Sequence, residues 1–228
     1  MFYYDPTYLL VLIGALISAA ASWNVNHTFQ KYNRAARSGR TGCEVAEQML
    51  RNAGINDVRI EQTHGSLSDH YSPKDKVLRL SESVYHSTSV AAIGVAAHEC
   101  GHAIQHQEGY LPLKLRSLSV PAANFGSWLS WPLILAGLLL GYGTLAELGV
   151  LLFTLVVFFQ LITLPVEFNA SRRAMAALEG EGVLEGSDLE GAGKVLRAAA
   201  LTYVAALFAA ILQLLRLVLI VGGRRRRD

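Results

Sequence analysis

The sequence predicts a mainly helical α+β protein in which about four transmembrane helices accompany one small α/β unit. Three observations point there. The 228 residues are 52% hydrophobic and only 17% charged, with a mean hydropathy of +0.31, a balance that leans toward the membrane. Long uncharged apolar blocks occur at the start, in the second half and at the end of the chain. Between the first and second blocks lies a polar stretch whose hydrophobic pattern alternates between helix and strand periods.

Charge and cysteine usage narrow the classes further. Lys and Arg number 20 against 18 Asp and Glu, so no basic surface points to a nucleic-acid partner. Cys43 and Cys100 are too few for a disulfide framework and read as packing residues.

Residues 1–23 hold the first span, Tyr8 to Trp23, which is apolar and uncharged. Only Asp5 precedes it where a leader peptide would carry basic residues, so it reads as an anchor. Residues 24–120 read as the α/β unit. In it Thr41 and Glu44 form a capping box, Val45 and Met49 keep helical spacing, and Gly54 ends the helix. "DVRIEQ" and "KVLRLS" alternate apolar with charged residues as half-buried strands do, and "HSTS" offers N-cap hydroxyls to a helix that Gly109 can close.

Residues 121–166 form a transmembrane hairpin, with apolar runs at 125–142 and 148–166 and with Trp128 and Trp131 at an interface. Residues 167–197 are a helical connector in which "SDLE", Ser187 to Glu190, reads as a second capping box. Residues 198–228 form the last hydrophobic helix, which carries Gln213 and Arg216 and ends in Arg224 to Arg227.

Basic residues near the spans set the orientation. Lys31, Arg34, Arg37, Arg40, Lys114, Arg116, Arg172, Arg173, Lys194 and Arg197 share one side if the first three spans cross, and the rule makes that side cytoplasmic. The terminal arginines oppose this if the last block also crosses. It either crosses against the bias or lies in the interface as an amphipathic helix, and four spans are preferred.

The chemistry concentrates in "VAAHECGHAIQHQ". His98, Glu99 and His102 spell H-E-x-x-H. On a helix, residues four apart are rotated by only ~40° with ~6 Å of rise, so two imidazoles can share one cation while the glutamate faces a water bound to it. With seven histidines in the chain, the pattern arises by chance on the order of 0.01 times. The bland alternative is a buried helix whose histidines merely hydrogen-bond. Ala96, Ala97, Gly101 and Ala103 would let another element approach closely, which also accounts for the helix cost of Gly94 and Gly101.

A catalytic zinc site takes three protein ligands and keeps one position open. His106 lies a further ~6 Å along the same helix, too far to share the ion, and reads as a surface or supporting residue. Glu167, in "LPVEFNASRRA", is the carboxylate near a span end on the same side. On position alone it reads equally as third ligand and as a solvated helix end.

"AAHECGHAIQH", followed about 65 residues later by "EFNASRRA", resembles the YugP-like membrane zinc metallopeptidases. These are similar in layout to the HtpX-like membrane proteases, and the resemblance covers nearly the whole chain. It implies a bacterial multi-pass protein of the cytoplasmic membrane, a small zincin-type α/β catalytic unit, and one Zn2+ per chain with Glu167 as third ligand. It departs from the HtpX-like pattern in one place. That family commonly has an aspartate four residues after its ligand glutamate, whereas here Ser171 stands there, so support for the ligands must come from Ser171, Asn169 or elsewhere.

With zinc on His98, His102 and Glu167, Glu99 would be the general base of peptide-bond hydrolysis on the cytoplasmic side. Candidates for contacting the developing oxyanion or the substrate are His70, Tyr71, Arg172 and Arg173; each has an ordinary alternative, since "DHYSP" also reads as a turn and the arginines as markers of a span end. A protein or peptide substrate would add to a free edge of the strand "KVLRLS", unless that strand lies between others. A site near the lipid favours membrane or juxtamembrane substrates. Two other readings share the motif: a zinc hydrolase of a non-protein amide or ester, and a non-enzymatic scaffold holding zinc. The scaffold is disfavoured because structural zinc is usually closed by four protein ligands.

Overall fold

The computed structural model describes residues 5–65 and 68–225, so the last two arginines of the basic tail lie outside the described residues. Its elements run α1 (Tyr8–Lys31), α2 (Gly42–Asn52), β1 (Arg59–Thr63), β2 (His70–Ser72), β3 (Val77–Ser81), α3 (Glu82–Tyr85), α4 (Val90–Gln107), α5 (Leu111–Leu140), α6 (Gly143–Gly180) and α7 (Gly186–Arg225). Four of them, α1, α5, α6 and α7, are long and apolar enough to cross a membrane. With one three-stranded sheet, this is a mainly helical α+β membrane protein.

The chain divides into two compact units. The first comprises residues 1–22, 115–164 and 202–228. Small residues let its helices approach closely, as packing in lipid requires. A Cβ on Gly137 would meet the Ala146 nitrogen at 2.4 Å, and one on Gly149 would meet the Ser130 carbonyl at 2.8 Å, so α5 and α6 touch nearly backbone to backbone. Gly14 of α1 faces Ala209 of α7, and Asp5, just ahead of α1, accepts a bond from Arg216 at 3.4 Å. As numbering rises in α7 it falls in α1, so within this unit the two helices are antiparallel.

The second unit comprises residues 23–114 and 165–201. Thr41 caps α2 as its sequence requires, since its side chain accepts from the Glu44 amide while the Glu44 carboxylate accepts from the Thr41 amide. Beyond the helix Gly54 turns the chain at φ +70°. The Ser89 hydroxyl accepts from the Ala92 amide to start α4, and Gly109, at φ +67°, follows its end. The core joins α2, β3, α4 and parts of α6 and α7 through Val45, Met49, Leu78, Ile93, Leu178 and Leu196. Each such side chain contributes on the order of 2 kcal/mol when fully buried.

Three details differ from the sequence reading. The sheet order is β1-β3-β2, with β1 parallel and β2 antiparallel to β3. "KVLRLS" is therefore the central strand, paired with β1 along residues 77–81 and with β2 along residues 77–79, rather than an edge strand. "DHYSP" is not simply a turn, because His70–Ser72 pairs with β3 as an edge strand. The capping box expected at Ser187 does not form. Gly186 already begins α7, Glu190 pairs with Lys194 at 2.6 Å, and the buried Asp188 instead binds the Arg34 guanidinium at 2.8 Å and the Arg37 amide at 2.9 Å.

Candidate metal centre

Helix α4 carries His98, Glu99 and His102, and α6 approaches it across Gly101. A Cβ at Gly101 would sit 2.5 Å from the Ala170 carbonyl oxygen, so only glycine permits this distance. Ala170 is three residues beyond Glu167, one helical turn, and the same close approach brings the Glu167 carboxylate over the two imidazoles. Gly94 serves a similar end a few residues earlier, with its Cβ position 3.4 Å from the methyl of Ala192 in α7.

Glu167 Oε2 lies 3.2 Å from His98 Nε2 and 3.6 Å from His102 Nε2. The three ligating atoms all lie within 4.8 Å of one another, a group that could hold a metal ion. The imidazole rings stand 4.7 Å apart at 85°, so they are not stacked on each other. A tetrahedral zinc with bonds of ~2.0–2.2 Å separates its ligand atoms by ~3.4 Å, close to both measured separations.

The charge distribution fits a cation as well. Glu99 is 8% and Glu167 2% exposed, so two carboxylates are drawn out of water beside two imidazoles. Burial alone would lower the His102 imidazole, but its bond to Glu167 and the charges of Glu99 and Glu167 outweigh this and hold it above its ordinary range. A divalent cation would neutralise the carboxylates and take up both lone pairs, so the residues present fit zinc.

Both imidazoles are held from behind. His98 Nδ1 lies 3.1 Å from Ser171 Oγ, and His102 Nδ1 lies 3.0 Å from Gln105 Oε1. Gln105 is fully buried, and its amide nitrogen donates to the Val166 carbonyl at 2.8 Å and to Asn169 Oδ1 at 2.9 Å. Asn169 in turn accepts from Arg173 Nε at 2.7 Å, and Arg173 pairs with Glu108 at 2.6 Å. Sequence reasoning named Ser171 and Asn169 as supports but missed Gln105, whose only signal was its place three residues after His102.

Glu99 Oε2 accepts from the Tyr71 main-chain amide at 3.0 Å. Strand β2 thus borders the carboxylate, and Tyr71 grips α4 a second time where its hydroxyl meets His106 Nδ1 at 2.8 Å. His106 is engaged there, outside the group formed by His98, His102 and Glu167. The other named candidates lie apart from these contacts. His70 Nδ1 donates to the Ser68 carbonyl at 2.7 Å and Nε2 faces Arg79, Arg172 is exposed, and Arg173 is tied to Asn169 and Glu108.

A family model described as "Putative neutral zinc metallopeptidase" matches residues 7–222. The chain is 49% identical over 220 residues to the "Putative membrane protease YugP" of Bacillus subtilis (strain 168), covering 95% of this chain and 98% of that protein. No solved structure matches it.

Proposed function

The chain belongs to this neutral zinc metallopeptidase family, and from that premise we propose that it is a membrane-embedded endopeptidase that hydrolyses peptide bonds of membrane or juxtamembrane proteins. The observation that carries this reading is the convergence of His98, His102 and Glu167 beside Glu99. These three would hold one zinc, which when bound lowers the pKa of a coordinated water and polarises a carbonyl. Glu99 has one oxygen fixed by the Tyr71 amide, and its other oxygen is left to take a proton from the attacking water and deliver it to the leaving amine. Tyr71, whose main-chain amide binds Glu99, is the residue we assign to the developing oxyanion, a role that requires its hydroxyl to leave His106 Nδ1 when substrate binds.

The decisive test is cleavage of an unfolded protein such as casein by the purified chain in detergent. Zinc-loaded protein is expected to cleave, a chelator to silence it, and added zinc to restore it; cleavage that survives complete metal removal would overturn the reading. In the same assay Tyr71→Phe is expected to lower kcat by about 10²-fold, the usual effect of losing one oxyanion donor, and an unchanged kcat would remove Tyr71 from the reaction.

We place this site on the cytoplasmic side, because ten basic residues flank the spans there against four arginines at the opposite end. The antiparallel pairing of α7 with α1 supports four crossings over an interfacial last helix. A periplasmic-type phosphatase reporter fused after Asp228 is then expected to be active, and an inactive phosphatase with an active cytoplasmic reporter would reverse the assignment.

A further inference from the structure

Neutral imidazole exists as two tautomers, and only the nitrogen without a proton can bind a cation. Which tautomer His102 adopts is decided by a short chain of one-way bonds. The Val166 carbonyl is an acceptor and nothing else, so the Gln105 atom 2.8 Å from it must be the amide nitrogen. Asn169 Oδ1 gives the same answer independently. It accepts from Arg173 Nε, a group that can only donate, and is therefore an acceptor toward Gln105 as well. Both donor positions of the Gln105 amide are thus spent on α6, and its Oε1 is left 3.0 Å from His102 Nδ1. An oxygen there requires a proton on Nδ1. Flipping the fully buried carboxamide would set its oxygen against two acceptors, and unmade bonds of a buried group are costly.

We propose that Gln105 is a positioning residue for the metal centre: its carboxamide locks His102 as the Nδ1–H tautomer and so presents the Nε2 lone pair to the cation. The proposal rests on the metallopeptidase reading and adds to it the reason why one ligand is preset before metal arrives. His98 offers the contrast. Its Nδ1 partner is the Ser171 hydroxyl, which can donate or accept, so that bond does not by itself fix the tautomer.

The first measurement needs no substitution. In metal-free wild-type protein labelled with 15N at histidine, long-range proton–nitrogen spectra report the tautomer of each ring. His102 is expected to carry a proton on Nδ1 whether or not Nε2 is also protonated toward Glu167, and a ring protonated on Nε2 alone would overturn the proposal. The second measurement is the rate at which zinc passes to a chromophoric chelator. Gln105→Met removes the acceptor and is expected to release zinc about 10–100-fold faster. Gln105→Glu keeps an acceptor toward His102 while losing both donors to α6, and it is expected to hold zinc close to the wild-type rate. If Gln105 merely tied α4 to α6, the glutamate variant would release zinc as fast as the methionine variant, and that outcome overturns the proposal, as does a wild-type rate in Gln105→Met. Should neither variant fold, the wild-type tautomer decides. A wild type that binds no zinc would defeat the metallopeptidase reading, whereas the tautomer is read without metal and fails or stands by itself.

Discussion

Glu99→Gln is expected to leave zinc content at the wild-type level while lowering casein cleavage by about 10²–10⁴-fold, the range for loss of a general acid–base group. The substitution changes little else. The amide has nearly the shape of the carboxylate, and its oxygen can still accept from the Tyr71 amide that now binds Glu99 Oε2 at 3.0 Å. What disappears is the ability to take a proton, a loss of about 3–5 kcal/mol in transition-state stabilisation. Glu167→Gln separates the two roles, since it should reduce zinc content itself. Equal cleavage by wild type and Glu99→Gln would sink the assignment of Glu99 as base, and loss of zinc from Glu99→Gln would make it a structural part of the centre.

Gly101→Ala is expected to lower both thermal stability and zinc affinity. Two effects oppose each other. Alanine favours a helix over glycine by ~1 kcal/mol, but the added methyl would sit 2.5 Å from the Ala170 carbonyl oxygen, 3.1 Å from its carbon and 3.2 Å from its Cα. These are backbone atoms of α6 and cannot swing aside, so overpacking of ~1–3 kcal/mol should win. Relief requires α4 and α6 to separate, which draws Glu167 away from His98 and His102. A drop in zinc affinity of about tenfold or more should therefore accompany the fall in melting temperature, as for other disturbances around metal ligands. Gly180→Ala is the control, because a Cβ there meets nothing within 4 Å. Wild-type zinc affinity in Gly101→Ala would show that the close approach does not set the site.

What could be read from the sequence follows the range of the interaction behind it. The caps at Thr41 and Ser89 and the glycines at 54 and 109 are local, and each forms as its sequence pattern requires. The convergence of His98 and His102 is also local, since helical spacing alone brings the rings together. Glu167 was only half legible, because its partner residues are about 70 positions away, and position along the chain does not say which face of α6 meets α4. Strand order was not legible at all. "KVLRLS" alternates like an edge strand, yet a three-residue strand too short to show a period covers its side. Ser187 failed as a cap because Asp188, its neighbour, is claimed by Arg34 and Arg37, about 150 residues earlier in the chain. Gln105 was invisible for a related reason: a glutamine on a helix reads as a surface residue until α6 supplies the acceptors that bury it.

Cys100 stands between Glu99 and Gly101, yet its sulfur points away to the Ala46 carbonyl at 3.7 Å, and it is fully buried. Burial, reinforced by the Glu99 charge, pushes its thiol well above the ordinary range. A thiolate at this position would be both a rival ligand for the cation and the group most readily oxidised. As a buried thiol on the far side of the helix it is neither. The nitrogen and oxygen donors proposed for the centre carry no sulfur for peroxide or a disulfide to attack, so zinc binding there is expected not to depend on a free thiol.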